Sequence, residues 1–236
     1  MSSIITIWGK SGAGKTTAAL NLAAALSQSR CVGLISSNLQ YGLLTDGDKG
    51  LLNALEEPSR TKECFVKSSF AENLFLLSVP VGYSGLLADN VSNEDAEQVL
   101  DSALSYFEVL IADGSEDITN PVSSVALSQS GKIIAVHKPS VAAGVWYRSM
   151  SDFISQLHLE NKLLHVIQQA PWHIEATEYA SALRINVSLS LPYVPNAPQL
   201  EDNAKPIILE SEKYCRRYGK AIIELSKIVS DSEVVL

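Results

Sequence analysis

The chain has 236 residues, of which 46% are hydrophobic and 19% are charged. Its 18 lysines and arginines stand against 26 aspartates and glutamates, which gives a formal net charge of −8. This length is sufficient for one large domain with a continuous core, and we expect a single domain over residues 1–236. The acidic balance excludes the overall positive charge that is typical of a dedicated nucleic-acid-binding domain.

The cysteines and histidines predict no metal site. Cys31, Cys64 and Cys215 show neither a CxxC nor a Cys/His spacing, which argues against a disulfide framework and a zinc site. The four histidines also lack the spacing of metal ligands, so we assign them no role.

No apolar run approaches the roughly 18 residues of a membrane span, and the N-terminus does not resemble a secretory signal peptide. We therefore expect a soluble cytoplasmic protein.

The chain alternates short apolar runs with stretches of helical periodicity. The first run, Ile4–Trp8, is rich in β-branched residues and ends at Gly9, which predicts a strand buried in a parallel sheet. A glycine loop follows, and then a predicted helix over Lys15–Ser29. Further strands are predicted at Val32–Ser36, Leu74–Val79, Val109–Asp113, Ile133–His137, Leu163–Gln168 and Val187–Leu191. Further helices are predicted at Gly50–Glu57, Asn93–Tyr106, Thr119–Ser130, Val141–Leu157 and Lys213–Val229.

This order of elements predicts the fold class. Repeated βα units favour an α/β fold with a doubly wound, mostly parallel sheet flanked by helices. Before the last helix, Pro192, Pro195, Pro198 and Pro206 indicate an irregular segment. Because it follows the carboxyl end of a strand, it lies where such sheets bind ligands.

The loop after the first strand fits a phosphate-binding pattern. Residues 9–16 read Gly-Lys-Ser-Gly-Ala-Gly-Lys-Thr, which matches GxxxxGK[ST] between a strand and a helix. Its glycines let backbone N–H groups turn inward, and the N-terminus of the helix attracts phosphate charge. We expect Lys15 to reach the β- and γ-phosphates of a nucleotide and Thr16 to bind Mg²⁺. The alternative is a glycine turn that binds no ligand.

The whole loop and its helical start are expected to hold the nucleotide. The residues are Gly9, Lys10, Ser11, Gly12, Ala13, Gly14, Lys15, Thr16 and Thr17.

Asp113 is the predicted second group at the metal. It ends the apolar run Val109–Asp113, and a phosphate loop of this kind needs an acid at the end of a neighbouring strand. The alternative is that Asp113 caps the turn at Gly114 and Ser115.

The residues around the loop resemble a known family. Lys10 and residues 11–17, Ser-Gly-Ala-Gly-Lys-Thr-Thr, resemble the deviant Walker A motif KGGxGKT of the MinD/ParA ATPases. Residues 36–42, Ser-Ser-Asn-Leu-Gln-Tyr-Gly, are similar to the DxDxQFG segment of the CpaE/TadZ branch. The strand ends at Asp113 and at Leu191-Pro192-Tyr193 follow the family's order, so the resemblance spans nearly the whole chain.

The resemblance implies an ATP-dependent homodimer that encloses two ATP molecules. Lys10 would reach the partner's phosphates, or it is an ordinary solvated lysine, and Ser11 replaces the family's glycine. Gln168 falls where the family has an adenine-contacting Asn, and Pro192 falls beside the base. Gln169 is the alternative base contact, and Gln168 would then only satisfy backbone groups at its strand end.

The chain departs from the family at the water-positioning site. The two acids of the family's DxD segment are replaced by Ser36 and Asn38, so we expect slow or absent ATP hydrolysis. Lys10, Lys15 and Asn38 are the catalytic candidates, with Asn38 orienting water through its amide oxygen. Nearby acids that could substitute are Asp46, Asp48, Glu116 and Asp117, although Asp46 and Asp48 also fit a polar turn.

Three functions follow from these patterns. The first is an ATP-dependent, dimerising switch of the MinD/ParA type that positions a larger assembly, resembling the Flp/Tad pilus machinery, and is recruited to a pole or membrane by a protein partner. The second is a ParA-like partitioning ATPase that binds DNA non-specifically through Arg216, Arg217 and Lys220. The third is a metabolic P-loop ligase, with Lys138 as its candidate substrate anchor.

The last helix is amphipathic, and we expect it to pack on the domain and not on a membrane surface.

Overall fold

The structure is a computed structural model that describes residues 3–40, 49–80, 82, 91–171, 174–203 and 205–231. Its strands are β1 (Ser3–Trp8), β2 (Val32–Ser36), β3 (Val66–Lys67), β4 (Leu74–Leu77), β5 (Val109–Asp113), β6 (Lys132–His137), β7 (Leu163–Gln168) and β8 (Val187–Leu191). Its α-helices are α1 (Lys15–Leu26), α2 (Leu51–Glu56), α3 (Thr61–Cys64), α4 (Asn93–Leu104), α5 (Pro121–Gln129), α6 (Val141–Ser149), α7 (Ser151–Gln156), α8 (Ala176–Leu183), α9 (Ala197–Asp202) and α10 (Lys213–Asp231). Short 3-10 helices lie at Pro58–Arg60, Glu160–Lys162 and Ile207–Leu209.

The strands form one eight-stranded sheet in the order β3-β4-β2-β5-β1-β6-β7-β8. β2 pairs in parallel with β4 and β5, and β7 pairs in parallel with β6 and β8. Only the two-residue β3 is antiparallel to its neighbour β4 among the pairs that the structure describes. The predicted mostly parallel, doubly wound sheet is therefore confirmed. The chain leaves β1 toward β2 on one side and later reaches β6 on the other, which places the loop after β1 where such sheets bind ligands.

The Cα positions group into two compact units. The first comprises Met1–Thr6 and Leu26–Gly131, and the second comprises Ile7–Ala25 and Lys132–Leu236. In the first unit, α4 buries a stripe of small and apolar side chains with helical spacing, namely Ala96, Val99, Leu100 and Ala103. Ser92 caps this helix by accepting a hydrogen bond from the backbone N–H of Asp95, and Asp95 returns one to Ser92.

In the second unit, α10 packs against β8 and the 3-10 helix at Ile207–Leu209. Its buried face consists of Cys215, Tyr218, Ile222, Leu225 and Val229. This periodic face explains why the helix packs on the domain, as the sequence predicts. In the described part of the chain, no helix combines the length and apolar character that crossing a bilayer requires.

The structure changes several predicted elements, among them the helix Lys15–Ser29, which ends at Leu26. The predicted helix Val141–Leu157 is two helices, because Met150 has φ −88° and ψ −1° and bonds back to Tyr147 O at 3.1 Å. The predicted strand Leu74–Val79 ends at Leu77. The proline-rich segment before the last helix is not irregular throughout, since it contains α9 with Pro198 in its first turn, where the missing N–H costs nothing.

Candidate functional site

The loop between β1 and α1 contains glycines with positive φ. Gly9 has φ +154°, and a Cβ at this position would lie 2.3 Å from the carbonyl oxygen of Val136. Gly12 has φ +74°, and a Cβ there would meet nothing within 4 Å. Gly9 is therefore required because β6 leaves no room for a Cβ, whereas Gly12 is required only because its positive φ is unfavourable for other residues. The loop is left open at Gly12, which fits a ligand that approaches the backbone.

Hydrogen bonds within the loop converge on one carbonyl group. The backbone N–H of Ala13 and the ammonium of Lys15 both donate to Lys10 O, at 3.1 and 3.2 Å. The backbone N–H of Ala18 donates to Gly14 O at 2.9 Å and begins the helical ladder of α1. The N–H groups of the first helical turn point out of this end of α1, where the helix dipole favours an anion.

The predicted phosphate-contacting side chains differ in exposure. Ser11 and Gly12 are exposed, and Lys10, Gly14, Lys15 and Thr16 are half-buried. Ala13 and Thr17 are buried, at 3% and 8% exposure. Because Lys15 folds over the loop onto Lys10 O, its charge already lies beside the cradle. Thr16 is accessible enough to place its hydroxyl near a bound phosphate, whereas Thr17 is held in the packing of α1.

Gln168 is brought against this loop by β7. A Cβ on Gly14 would lie 3.6 Å from Gln168 Cγ and 3.7 Å from its Oε1. The amide nitrogen of Gln168 donates to the carbonyl oxygens of Gln169 and Pro192, at 3.2 and 3.4 Å. Two carbonyl acceptors fix which end of the amide is nitrogen, so Oε1 is the end that lies beside the loop. The structure therefore gathers three predicted residues, Gly14, Gln168 and Pro192, in the second unit.

Gln169, the alternative base contact, has a different environment. Its side chain is exposed, and its backbone N–H donates to Leu191 O at 2.9 Å. Gln168 is thus the residue of this pair whose side chain meets the loop.

Asp113 lies in the first unit at the carboxyl end of β5 and is 6% exposed. The N–H and the hydroxyl of Ser37 both donate to its backbone oxygen, at 3.0 and 2.7 Å. Within the described ranges, no three His, Cys, Asp or Glu side chains form a group that could hold a metal ion. Mg²⁺ does not need such a group, because it keeps several waters and takes its other ligands from phosphates and one or two protein oxygens. The donor set of Thr16 and Asp113 is of this sparse type, and its pairing at one ion stays a prediction.

The replaced water-positioning residues form a turn. The backbone N–H of Asn38 donates to Ser36 Oγ at 3.3 Å, and Asn38 Oδ1 accepts from the backbone N–H of Gln40 at 3.0 Å. The oxygen that we expect to orient water thus also accepts the hydrogen bond of the turn, which uses one of its two acceptor sites.

The substitute acids are differently placed. Asp46 and Asp48 lie outside the described residues. Asp117 Oδ1 accepts from the N–H and the hydroxyl of Thr119, at 2.9 and 2.7 Å. These bonds hold the pKa of Asp117 below its ordinary value. Asp117 is therefore a turn-forming residue, and Glu116 beside it is half-buried.

Two groups in the second unit are not among the predicted residues. Asn21, 1% exposed in α1, donates to Thr17 O at 2.8 Å and accepts from the N–H of Ile208 at 2.8 Å. An Asn inside an Ala- and Leu-rich helix is unfavourable unless its amide is used, and that signal was available in the sequence. His137 and His165 share a hydrogen bond at 3.1 Å. Nothing in the sequence pattern pairs them.

The comparison with solved structures identifies the fold. No protein-family model matches the chain, and no curated protein matches it in sequence. Among solved structures, it is similar to the septum site-determining protein MinD of Pyrococcus horikoshii OT3 complexed with Mg-ADP, at 18% identity and a TM-score of 0.82, covering 100% of this chain and 98% of that one. It is also similar to the MinC:MinD cell division protein complex of Aquifex aeolicus, at 17% identity and a TM-score of 0.77, covering 99% and 98%. A third is a ParA family ATPase from Chlorobium tepidum TLS, at 17% identity and a TM-score of 0.78, covering 95% and 98%. The chain therefore has the fold of MinD/ParA-type P-loop ATPases.

Proposed function

We propose that this chain binds ATP with Mg²⁺ at the loop after β1 and acts as a nucleotide-dependent switch that positions a larger assembly. The observation that carries the proposal is the loop itself, with Gly12 at φ +74° and Lys15 folded onto Lys10 O. The fold adds support, because the similar MinD of Pyrococcus horikoshii OT3 is complexed with Mg-ADP. Bound Mg²⁺ neutralises phosphate charge, which an acidic chain of net charge −8 requires.

In this proposal each residue of the loop has a distinct role. Backbone N–H groups of residues 9–17 bind the β-phosphate, and Lys15 leaves Lys10 O to bind the β- and γ-phosphates. Thr16 and Asp113 hold the metal, Thr16 directly and Asp113 through its water shell. A Lys15→Ala substitution removes a charge-assisted contact and lowers ATP affinity by about tenfold to hundredfold.

Gln168 selects adenine in this proposal. Its Nε2 is held by Gln169 O and Pro192 O, so Oε1 is left to accept a hydrogen bond from a ligand. Adenine offers an amino donor at its six-position, whereas guanine offers a carbonyl acceptor there. A Gln168→Glu substitution replaces the amide donor by a second oxygen that repels both carbonyls. The ratio of ATP to GTP affinity then falls by about tenfold, the value of roughly one hydrogen bond.

We further propose that ATP stabilises a homodimer through Lys10. A cation that binds the partner's phosphates gives the ATP state a contact that the empty state lacks. Lys10 lies half-buried at the start of the loop, and Ser11 beside it is exposed. Dimerisation of this kind, and a CpaE/TadZ-like role in a pilus assembly with a protein partner, rest on the resemblance of residues 10–17 and 36–42. The complex of MinC with MinD in Aquifex aeolicus is consistent with a protein partner.

Hydrolysis is slow or absent in this proposal. Neither Ser36 nor Asn38 carries the charge of the family's acids, and Asn38 Oδ1 is bonded to Gln40 N. An uncharged amide oxygen that already accepts one hydrogen bond is a weaker base for the attacking water than a carboxylate.

The experiment is sedimentation velocity without nucleotide, with ADP and with ATP, each with Mg²⁺, while bound nucleotide and released phosphate are measured in the same samples. Lys10→Ala and Lys15→Ala are compared with Lys132→Ala, which removes a half-buried lysine at the amino end of β6. We expect a dimer only with ATP and little phosphate release. We expect Lys15→Ala to weaken ATP binding by about tenfold to hundredfold, Lys10→Ala to lose only the dimer, and Lys132→Ala to behave as the unmodified chain. A monomer that binds ATP under every condition refutes the dimer, and absence of ATP binding refutes the whole proposal.

A second candidate function, nucleotide-dependent DNA binding, is favoured by the outer face of α10. Five basic residues are exposed along this helix, Lys213, Arg216, Arg217, Lys220 and Lys227, with Glu224 as the only exposed acid between them. Such a stripe is a local positive surface on an acidic chain, and phosphate contacts of this kind are strongly salt-dependent.

The test of this candidate is DNA binding with ATP at rising salt concentration. The Arg216→Gln/Arg217→Gln variant is compared with Lys67→Gln/Lys205→Gln, which changes the net charge equally at exposed positions elsewhere. A loss of DNA affinity and a smaller salt dependence in the α10 variant alone support DNA binding through this helix. Equal losses in both variants show that the net charge of the chain explains the binding.

A further inference from the structure

One side chain in the first unit links the loop after β2 to the start of α5. Asn120 lies immediately before α5, and its Nδ2 donates to the backbone oxygen of Ser37 at 2.8 Å. Its Oδ1 accepts from the backbone N–H of Ser123 at 2.9 Å and so caps the helix. The same amide therefore makes two different hydrogen bonds. Asp and Ser could cap the helix equally well, but neither has an amide N–H to donate to Ser37 O.

The loop after β2 is also bonded to the end of β5. Ser36 is the register partner of Asp113, and Ser37 donates twice to Asp113 O, at 3.0 and 2.7 Å. Ser37 is only 2% exposed, so water cannot readily replace Asn120 at its carbonyl group. Ser37, in the loop after β2, is thus bonded both to Asp113 and to Asn120, which are the two ends of residues 113–120.

That segment is itself fastened by side chains. The N–H of Ser115 donates to Ser123 Oγ at 3.0 Å, and the N–H of Asp117 donates to Ser115 Oγ at 3.0 Å. Thr119 then bonds to the Asp117 carboxylate. These bonds link the end of β5 to α5 through Ser115, Asp117 and Thr119.

We propose that Asn120 is a positioning residue that makes residues 36–38 and 113–120 move as one body. The inference rests on the proposed function, in which Asp113 serves the metal and Ser36 and Asn38 stand in place of the family's two acids. In that setting, Asn120 ties occupancy of the metal site to the geometry of the loop after β2 and to the start of α5. Without it the two loops respond to nucleotide separately.

The test uses a substitution that separates the two tasks of Asn120. Asn120→Asp keeps an acceptor for Ser123 N at a helix N-terminus that favours negative charge, but it has no donor for Ser37 O. Asn120→Ser keeps a cap without adding a charge. The control is Ser140→Ala, which removes the cap of α6 in the second unit, where Ser140 Oγ accepts from Ala143 N at 3.1 Å.

Hydrogen exchange of the chain without nucleotide is measured first. In both Asn120 variants we expect the amides of residues 37–40 to exchange about fivefold faster, as one hydrogen bond predicts. The thermal midpoint should fall no further than in Ser140→Ala, whose exchange at residues 37–40 should be unchanged. Unchanged exchange in the Asn120 variants overturns the inference, and so does an equal increase in Ser140→Ala, because either shows that Asn120 holds nothing locally.

Exchange is then compared with Mg-ADP and Mg-ATP. We expect nucleotide to change residues 37–40 and 114–120 together in the unmodified chain, and only residues 114–120 in the variants. If both segments still respond together in the variants, the coupling role of Asn120 is wrong while the proposed function stands. If nucleotide changes no segment of the unmodified chain, including residues 9–17, the proposed function is wrong, while the first measurement still decides whether Asn120 holds the loop.

Discussion

Acidification from pH 7.5 to pH 5 should destabilise this protein through one buried histidine. His137 ends β6 and is 2% exposed. Its Nδ1 lies 3.2 Å from Tyr179 Oη, and its Nε2 lies 3.1 Å from His165 Nδ1. The ring of Tyr147 packs edge-on at 5.0 Å, so aromatic groups surround the imidazole. A proton added here has no carboxylate partner among the described neighbours.

Burial lowers the pKa of His137 to about 3, and the neighbouring His165 adds to the effect. The unfolded chain keeps a pKa near 6.5. Since the folded value is the lower one, the stabilisation is complete above pH 6.5 and is lost as the pH falls toward 3. At pH 5, about 1.5 pH units below the unfolded pKa, protonation stabilises the unfolded chain but not the folded chain. The free energy of unfolding therefore falls by about 2 kcal/mol between pH 7.5 and pH 5.

The assay is urea unfolding at pH 7.5, 6.5 and 5.0, followed by circular dichroism. His137→Asn removes the titrating group and leaves an amide that can bond Tyr179. His158→Asn is the control, because His158 is exposed and has φ +52°, which Asn tolerates. We expect the control to lose as much stability with acid as the unmodified chain, and His137→Asn to lose about 2 kcal/mol less. An identical pH dependence in all three proteins would show that His137 is not the acid-sensitive group.

Two further substitutions test how the loop after β1 is held. Gly9→Ala should cost about 3 kcal/mol or more in urea unfolding, because its Cβ would lie 2.3 Å from Val136 O, whereas Gly12→Ala should cost about 1 kcal/mol for its dihedral angle alone. If both cost the same, the close approach to β6 is not the reason for glycine at position 9. Asn21→Leu should cost about 2 to 3 kcal/mol in the same assay because it leaves the N–H of Ile208 buried without its acceptor. A cost below about 1 kcal/mol would contradict this hydrogen bond.

Much of the fold follows from local sequence. The bounds predicted for the strands Val32–Ser36, Val109–Asp113, Leu163–Gln168 and Val187–Leu191 agree with the structure. Each is a short apolar run between turn-forming residues, so the same few residues determine where the strand begins and ends. The helix break at Met150 could not be predicted, because no proline or glycine marks it and only the backbone angles there separate α6 from α7.

The phosphate loop is likewise a local feature, since its eight consecutive residues carry both the glycine dihedral angles and the lysine. The sequence by itself therefore determined most of the strands, the loop after β1 and the candidate role of Lys15, whereas the two-residue β3 was not predicted. The tertiary structure alone decided which distant groups meet. His137 and His165 are 28 residues apart, Ser37 and Asn120 are 83 apart, and Asn21 and Ile208 are 187 apart. The physical reason is that such pairs are brought together by strand order and helix packing, which depend on the burial of the whole chain and not on any short pattern.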